Sequence, residues 1–425
     1  MVVGAGTSRP DLTNGSSMRR RSLATALALV TATVALADAS AAGAITVGPA
    51  PATGNVLKVA TIGDFEANGV DNTQWINAVR ARFDAANARG GMVDASRQLH
   101  RVDVVACNAA SDPVQTARCA QQAVDQGVAA VVGLSAVYSD RALPILGAAH
   151  IPALGVRVNG QADAAQPASF PLASGLEAEL MAMPQLLAEQ GATKIAVIIS
   201  DFGPATDDAL AVVQQGRALT SAATGPVVRV PAGTTDYTAA VAAATQPGVD
   251  GVVGFLAGGP AGSLVRQLRA AKYTGRYVTR APWGTAPAAS DPDPSIPGTL
   301  VVGNFPASTS GDAGWTRFRR DLGLARGRPV TVDEGTVNAW LAARVFQRLL
   351  EAVDPSWLKT AVLEPIVYNG ADNTGGLTPQ LTSTPTEAAS PRLFNRMVTF
   401  SVTRHGTRWP LDRRFFDPFR GQFLR

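Results

Sequence analysis

The sequence predicts an α/β fold of two similar, doubly wound lobes, and three observations predict it. Val128–Val156 reads as one βαβ unit. Within it Ala129–Val132 is a short apolar run ended by Gly133, LSAVYSD is a polar break, Arg141–Ala149 has helical spacing, and Ile151–Val156 is apolar again. Similar βα units lie on both sides of it, in two series separated near Phe170–Ser174. Finally, 425 residues at 46% hydrophobic and 16% charged exceed one ordinary domain and suffice for a sizeable core. In open parallel sheets the carboxyl ends of the strands face the ligand crevice, so the loops after the strands are the first candidates for a site.

Residues 1–44 read as a signal peptide with a possible upstream extension. Met1–Ser17 is polar; from Met18 a basic MRRR leads into LATALALVTATVALA and then the small residues Ala39-Ser40-Ala41 and Ala42-Gly43-Ala44, a cleavable pattern too short for a membrane span. Export is the expectation, to a periplasmic or extracellular space. Arg20-Arg21-Ser22-Leu23 faintly resembles a twin-arginine signal, and the route stays open. No cysteine sits near the cleavage region, which argues against a lipid anchor. This leader carries +2 of the formal net charge of +4, so the remainder is nearly neutral and gives no case for nucleic acid or anionic membrane.

The elements then follow in order. Val56–Ile62 is a strand running into the loop GDFEANGVDN. Trp75, Ile76, Val79, Phe83 and Ala86 mark a helix; Arg101–Ala106 is the next strand and Pro113–Gln126 the next helix. Beyond Gly175 come a helix to Gln190, the strand KIAVIIS, a helix to Leu219, VVRVP, a helix near Tyr237–Thr245, GVVGFL, the helix Leu264–Lys272 and YVTR. The strand TLVVGNF, helices at Trp315–Asp321 and Thr336–Val353, and a strand pair near Met397–Arg408 complete the chain, with Leu377–Ser390 as a long surface loop. The lobes divide as 56–174 (first lobe), 175–302 (second lobe), 303–370 (return to the first) and 371–425 (return to the second, and tail).

Cys107 and Cys119, the only cysteines, are an even number in an exported chain, which favours a disulfide pinning the helix after Asp112-Pro113 to the preceding strand; two buried free thiols are the alternative. Two cysteines alone hold no metal. His100, His150 and His405 lie in unrelated segments with no HExxH and no carboxylate pairing. There is no P-loop lysine, GxSxG elbow or GxGxxG after a strand, and nothing nominates a catalytic centre or a cofactor. Asp64, Asp201 and Asp236 follow strands, where they suit a cation or amine, or simply a loop and cap role. What remains is a set of strand-end breaks: Asp64-Phe65, Ser135–Ser139, Arg157–Asn159, Asp201-Phe202, Gly258-Gly259 and Trp283. Helix-start N–H groups and serine hydroxyls make an anion-friendly floor there, and aromatics make apolar walls.

The stretches NARGGMVDASRQLHRVDVV, SDPVQTARCAQQAV, GVAAVVGLSAVYSDRALPILGAAHIPALGV, SFPLASG, TKIAVIISDFG and TVNAWLAARVFQRLL, in this order and spacing over Leu57–Trp409, resemble the type I periplasmic binding proteins, specifically the leucine/isoleucine/valine-binding branch that feeds ABC transporters. The resemblance implies two lobes joined by three crossover segments, with the ligand enclosed in the cleft between them when a hinge closes. By position it implies a carboxylate-binding loop at Ser135–Ser139, a second ligand loop at Arg157–Asn159, an aromatic wall at Phe202, and at Trp283 the place where amino-acid binders carry an acid for the α-amine. Val137 falls where a serine is usual and Trp283 replaces the acid, two departures that speak against a free amino acid.

The ligand-binding set is therefore Asp64, Phe65, Ser135, Val137, Tyr138, Ser139, Arg157, Asn159, Phe202, Gly259 and Trp283. In it the first loop and Arg157 take a polar or anionic end, and Phe202 and Trp283 an apolar body. The function expected is an exported, non-enzymatic solute-binding protein whose partners are a small molecule, amino-acid-like or otherwise polar or amphipathic, and a membrane ABC permease. A ligand-sensing receptor subunit and a secreted enzyme on a similar scaffold are the alternatives.

Overall fold

The computed structural model describes residues 52–67, 69–256, 261–284, 298–324, 332–359, 374–381, 392–393, 395–404 and 407–424. The signal-peptide segment, Gly258-Gly259, His405 and most of the Thr/Pro/Ser-rich stretch lie outside these residues. Two separate sheets organise the chain. In the first, the strands are ordered Val102–Asn108, Leu57–Gly63, Ala130–Ser135, Ala153–Leu154, Ser169–Phe170, all parallel. The second runs Ala223–Pro231, Lys194–Asp201, Gly251–Phe255, Arg276–Arg280, Leu300–Gly303, again parallel, and closes with the antiparallel pair Thr399–Arg404 and Thr407–Pro410. Each therefore starts at its second position, turns back once and then proceeds outward. Such an order has a switch point beside its first strand, where a crevice opens at the carboxyl ends. In the first lobe that point lies after Gly63 and Ser135, and in the second after Asp201 and Phe255.

Helices cover both faces of both sheets. Gln74–Asn87 and the late helix Glu334–Ala352 bury Trp75, Phe83, Trp340 and Phe346 against one face of the first sheet, and Pro113–Asp125 with Ser139–Ala148 covers the other. Gly175–Glu189 and Pro204–Ala218 pack on the second sheet opposite Thr238–Ala244 and Ala261–Ala270. The late helix fits because Gly155 (φ +66°) has no side chain: a Cβ there would lie 2.7 Å from that of Ala342, and the Gly155 carbonyl accepts Asn338 Nδ2 at 2.7 Å. Glycine alone makes this approach at low cost.

Cys107 and Cys119 are bonded, joining the strand Val102–Asn108 to the helix behind it. That helix starts as the sequence suggests: Asp112 accepts the Gln115 N–H at 2.6 Å and Pro113 takes the first turn, where no N–H is needed.

Several boundaries differ from those expected. The third strand runs through Gly133 to Ser135, because Gly133 adopts φ +79° and absorbs an irregularity in the pairing with Leu57–Gly63; the polar break starts at Ala136, and Ser135 is a strand residue. Ile151–Val156 contributes only Ala153–Leu154 to the ladder. Leu377 and Leu381, expected on a surface loop, are buried in the first lobe's core, since apolar side chains at both ends of that short stretch find the cover of Trp315 and its neighbours. His100 does pair with a carboxylate: its Nε2 lies 2.9 Å from Asp94 Oδ2 and Nδ1 2.8 Å from the Asn55 carbonyl, a buried clasp across a short hairpin rather than a site.

The disulfide closes a short loop, so its removal should cost about 2–4 kcal/mol. Intact mass with and without reductant should differ by two hydrogens, and the reduced protein should melt lower. Free alkylation of both thiols in the native, unreduced protein would exclude the bond.

Candidate functional site

The two switch points fill with the predicted loops, and hydrogen bonds fix them. Asp64, directly after the first strand, accepts the Ser111 N–H at 2.6 Å and the Val137 N–H at 2.8 Å, one on each carboxylate oxygen. Asn159 Nδ2 reaches the carbonyls of Ala136 and Val137, both at 3.3 Å. Ser139 Oγ donates to Asp163 at 2.7 Å, and Asp163 also accepts the N–H groups of Asn159 and Gly160. Burial raises the Asp163 carboxyl above its usual range, and these hydrogen bonds counter it. Asp64, Val137, Ser139, Arg157 and Asn159 thus share one loop cluster, in which the buried carboxylates hold backbone. Their strength is spent on the loops.

This cluster leaves Val137 (44% exposed) and Tyr138 (37%) standing into solvent. In the second lobe Phe202 (45%) does the same, at the start of the helix Pro204–Ala218, with its N–H donating to Thr206 Oγ1 at 2.7 Å. Phe65 and Ser135 turn away from solvent. Phe65 packs edge-on against Trp75 in the core, and Ser135 is buried with its carbonyl accepting the Asp64 N–H. Asp201 and Asp236 make the local turn and cap contacts their positions suggest, with Gly203 and Thr238. Gly259 lies outside the described residues.

A narrow pocket, about 10 Å³ and so no larger than a water molecule needs, lies where residues of both lobes meet: Arg157, Asn159, Glu179, Arg280, Trp283 and Asn304 are among its lining. Arg157 comes from the loop after the first lobe's fourth strand, Glu179 from the helix Gly175–Glu189, and Arg280 ends a strand of the second sheet. The Arg157 guanidinium lies over the Trp283 ring, 5.4 Å from its centre. Trp283 is only 5% exposed, and its carbonyl accepts the Gly335 N–H at 2.8 Å, so the ring is part of the core as much as of the pocket.

Three polar pocket residues were not singled out from the sequence: Glu179, Arg280 and Asn304. Glu179 Oε2 pairs with Arg280 Nη1 at 3.1 Å, and Oε1 accepts Asn304 Nδ2 at 2.7 Å. The same Nδ2 lies 2.7 Å from Glu334 Oε2, and Arg408 reaches the other Glu334 oxygen at 3.5 Å. A partial signal for Glu179 existed: of the two carboxylates in the run LEAELMAM, Glu179 is the one that falls among apolar neighbours on a helix buried nearly all round. Burial pushes its carboxyl up to about 7, partly offset by Arg280 and raised further by Glu334. Burial, with Arg280 nearby, draws Arg157 down to about 10, which leaves it charged at neutral pH. Among the described residues no helix is long and apolar enough to cross a membrane.

Residues 56–406 match the protein family described as periplasmic binding protein. No curated protein matches the chain by sequence. Solved structures do match it by fold. A possible leucine/isoleucine/valine-binding protein from Rhodopirellula baltica SH 1 is 17% identical, with 85% of this chain and 98% of that chain covered and a TM-score of 0.64. The branched-chain amino acid transporter substrate binding protein LivJ from Streptococcus pneumoniae, solved in complex with isoleucine, is 16% identical over 83% of this chain and 97% of its own, TM-score 0.66. A fatty acid ABC transporter substrate-binding protein from Thermomonospora curvata is 13% identical over 86% and 94%, TM-score 0.66.

The raised Glu179 carboxyl has a consequence for stability. Between the ordinary glutamate value and about 7 the folded chain holds a proton that the unfolded chain releases, so this group costs stability as pH rises through that window, and the cost is complete above it. Denaturant melts across this range should show wild type losing stability toward neutral pH relative to Glu179→Gln. Parallel curves for the two proteins would rule the assignment out.

Proposed function

Because the chain belongs to the periplasmic binding protein family, we propose that it is an exported solute-binding protein that captures a small molecule between its lobes and delivers it to a membrane ABC permease. The observation that carries the reading is the pocket lined from both lobes, with Asn159 joining it to the switch-point loop of the first sheet. Ligand pockets of α/β sheets form at these points because backbone N–H groups and loop side chains converge there. A ligand that touches both lobes binds the closed arrangement better than the open one, and closure is then the signal a permease reads. In this reading the loop Ala136–Ser139 and Arg157–Asn159 face the ligand from the first lobe, Phe202 from the second, and Trp283 from the seam; Asp64 and Ser139 support the loops. Export rests on the leader-like segment before Ala44, which lies outside the described residues.

Mass spectrometry of small molecules released from the purified protein, followed by X-ray scattering with and without the molecule found, tests the proposal. A specific solute that contracts the particle supports it; an empty protein that no solute contracts would sink it. The two aromatics should separate under substitution. Phe202→Ala, which removes an exposed ring, should leave the melting temperature unchanged and weaken the ligand about 10- to 100-fold. Trp283→Ala should cost about 3–5 kcal/mol of stability as well, since the ring fills core space. Unchanged affinity in folded Phe202→Ala would remove Phe202 from the site.

A further inference from the structure

Arg157 is anomalous among the charges of the pocket. Arg280 is paired with Glu179, and Arg408 reaches Glu334. The Arg157 guanidinium lies over the Trp283 ring and, among the described residues, makes no hydrogen bond or close ion pair; Asp64, Glu179 and Asp163 attract it only from a distance. The guanidinium is half-buried, with its nitrogens open to the cleft, so it presents an uncommitted charge and N–H edge to whatever enters there. The stack on Trp283 also orients the guanidinium: a planar fork on a ring face keeps its N–H edge available for a flat two-oxygen acceptor. The indole N–H of Trp283, buried without a partner among the described residues, is a second unmatched donor at the same place.

The acids around the pocket point the same way. Glu179 is taken by Arg280 and Asn304, Glu334 by Asn304 and Arg408, Asp64 by the Ser111 and Val137 N–H groups, and Asp163 by Ser139, Asn159 and Gly160. No described carboxylate that faces Arg157 is left over to receive an ammonium group. An unmatched cation together with fully committed acids complements a ligand that carries an anion and no amine.

We propose that the ligand is an organic anion without an ammonium group, a carboxylate in its simplest form, bound through its oxygens by the Arg157 guanidinium. The inference rests on the solute-capture reading and adds the ligand class to it. Arg157 supplies charge and two parallel donors, Trp283 holds it flat, and the exposed Val137, Tyr138 and Phe202 are left for the apolar remainder of the acid.

The test is a matched panel measured by calorimetry and thermal shift on the whole mature chain: isocaproate, isocaproamide and L-leucine, which share a branched skeleton, with benzoate and benzamide as a flat pair. At least one acid should bind, at least ~30-fold more tightly than its amide, and isocaproate should exceed leucine. Arg157→Gln should weaken the acid by ~30-fold or more while the unliganded protein melts close to wild type, because the guanidinium makes no hydrogen bond or close ion pair that would be lost. Arg157→Lys, which keeps the charge and loses the fork, should fall between the two and still prefer acid over amide; it decides the matter if the glutamine variant does not fold. Binding of an amide or of leucine as tight as that of the acid, failure of both acids, or an Arg157→Gln protein with wild-type affinity each overturns the inference. If an uncharged member or the amino acid binds and contracts the particle, the anion assignment falls and solute capture stands. If nothing in the panel binds and no small molecule is released from the purified protein, both fall.

Discussion

One side-chain amide, that of Asn304, ties together the parts on which the rest of the structure depends. Its oxygen accepts the Ser174 hydroxyl at 2.8 Å and the Gly175 N–H at 3.1 Å, where the chain first passes from one sheet to the other. Its nitrogen reaches Glu179 of the second lobe and Glu334 of the helix that returns to the first, each at 2.7 Å. Asn304 itself sits just after the strand Leu300–Gly303, at the second passage. The third passage is fastened to the other two: Thr399 Oγ1 donates to the Phe305 carbonyl at 2.9 Å, and Asn395 Nδ2 to the Leu172 carbonyl at 2.9 Å. A buried amide with every group satisfied is rigid, whereas the same amide half-satisfied is a liability, so this junction has little freedom.

The pocket inherits its geometry from this junction. Glu179 cannot turn toward a ligand without abandoning Arg280 and Asn304, and among the described charges that line the pocket Arg157 alone has no hydrogen-bonded partner. The electrostatics of the site are therefore a result of what the junction consumes. A carboxylate that in another arrangement would meet an amine is here a structural partner, and the ring of Trp283 stands under the remaining cation.

The loops show the same division of labour on a smaller scale. Buried acids, Asp64 and Asp163, are used to hold backbone N–H groups at the carboxyl ends of the first sheet, and this presses Val137 and Tyr138 outward. Exposed apolar residues on loops so firmly fixed bear entropy already spent, which favours their use in binding.

The sequence by itself determined the α/β class, the repeated units and the two-lobe plan, because apolar runs of strand length and helical spacing are local signals that burial on a sheet requires. The Asp112-Pro113 helix start was equally legible, since its cap is met within three residues. The strand-end positions of Asp64, Arg157 and Phe202 could be read from the same alternation. What only the tertiary structure decided is which of these groups are spent. Phe65 follows a strand as Phe202 does, yet it packs on Trp75; Ser135, expected in the break, stays in the ladder because Gly133 adopts a left-handed conformation that no apolar pattern announces. Glu179, Asn304 and Glu334 are separated by 125 and 30 residues along the chain, and their shared hydrogen bonds exist only once three passages between the sheets converge. Pairing of a buried charge depends on distance in space, so neither the commitment of Glu179 nor the isolation of Arg157 could be written in local spacing.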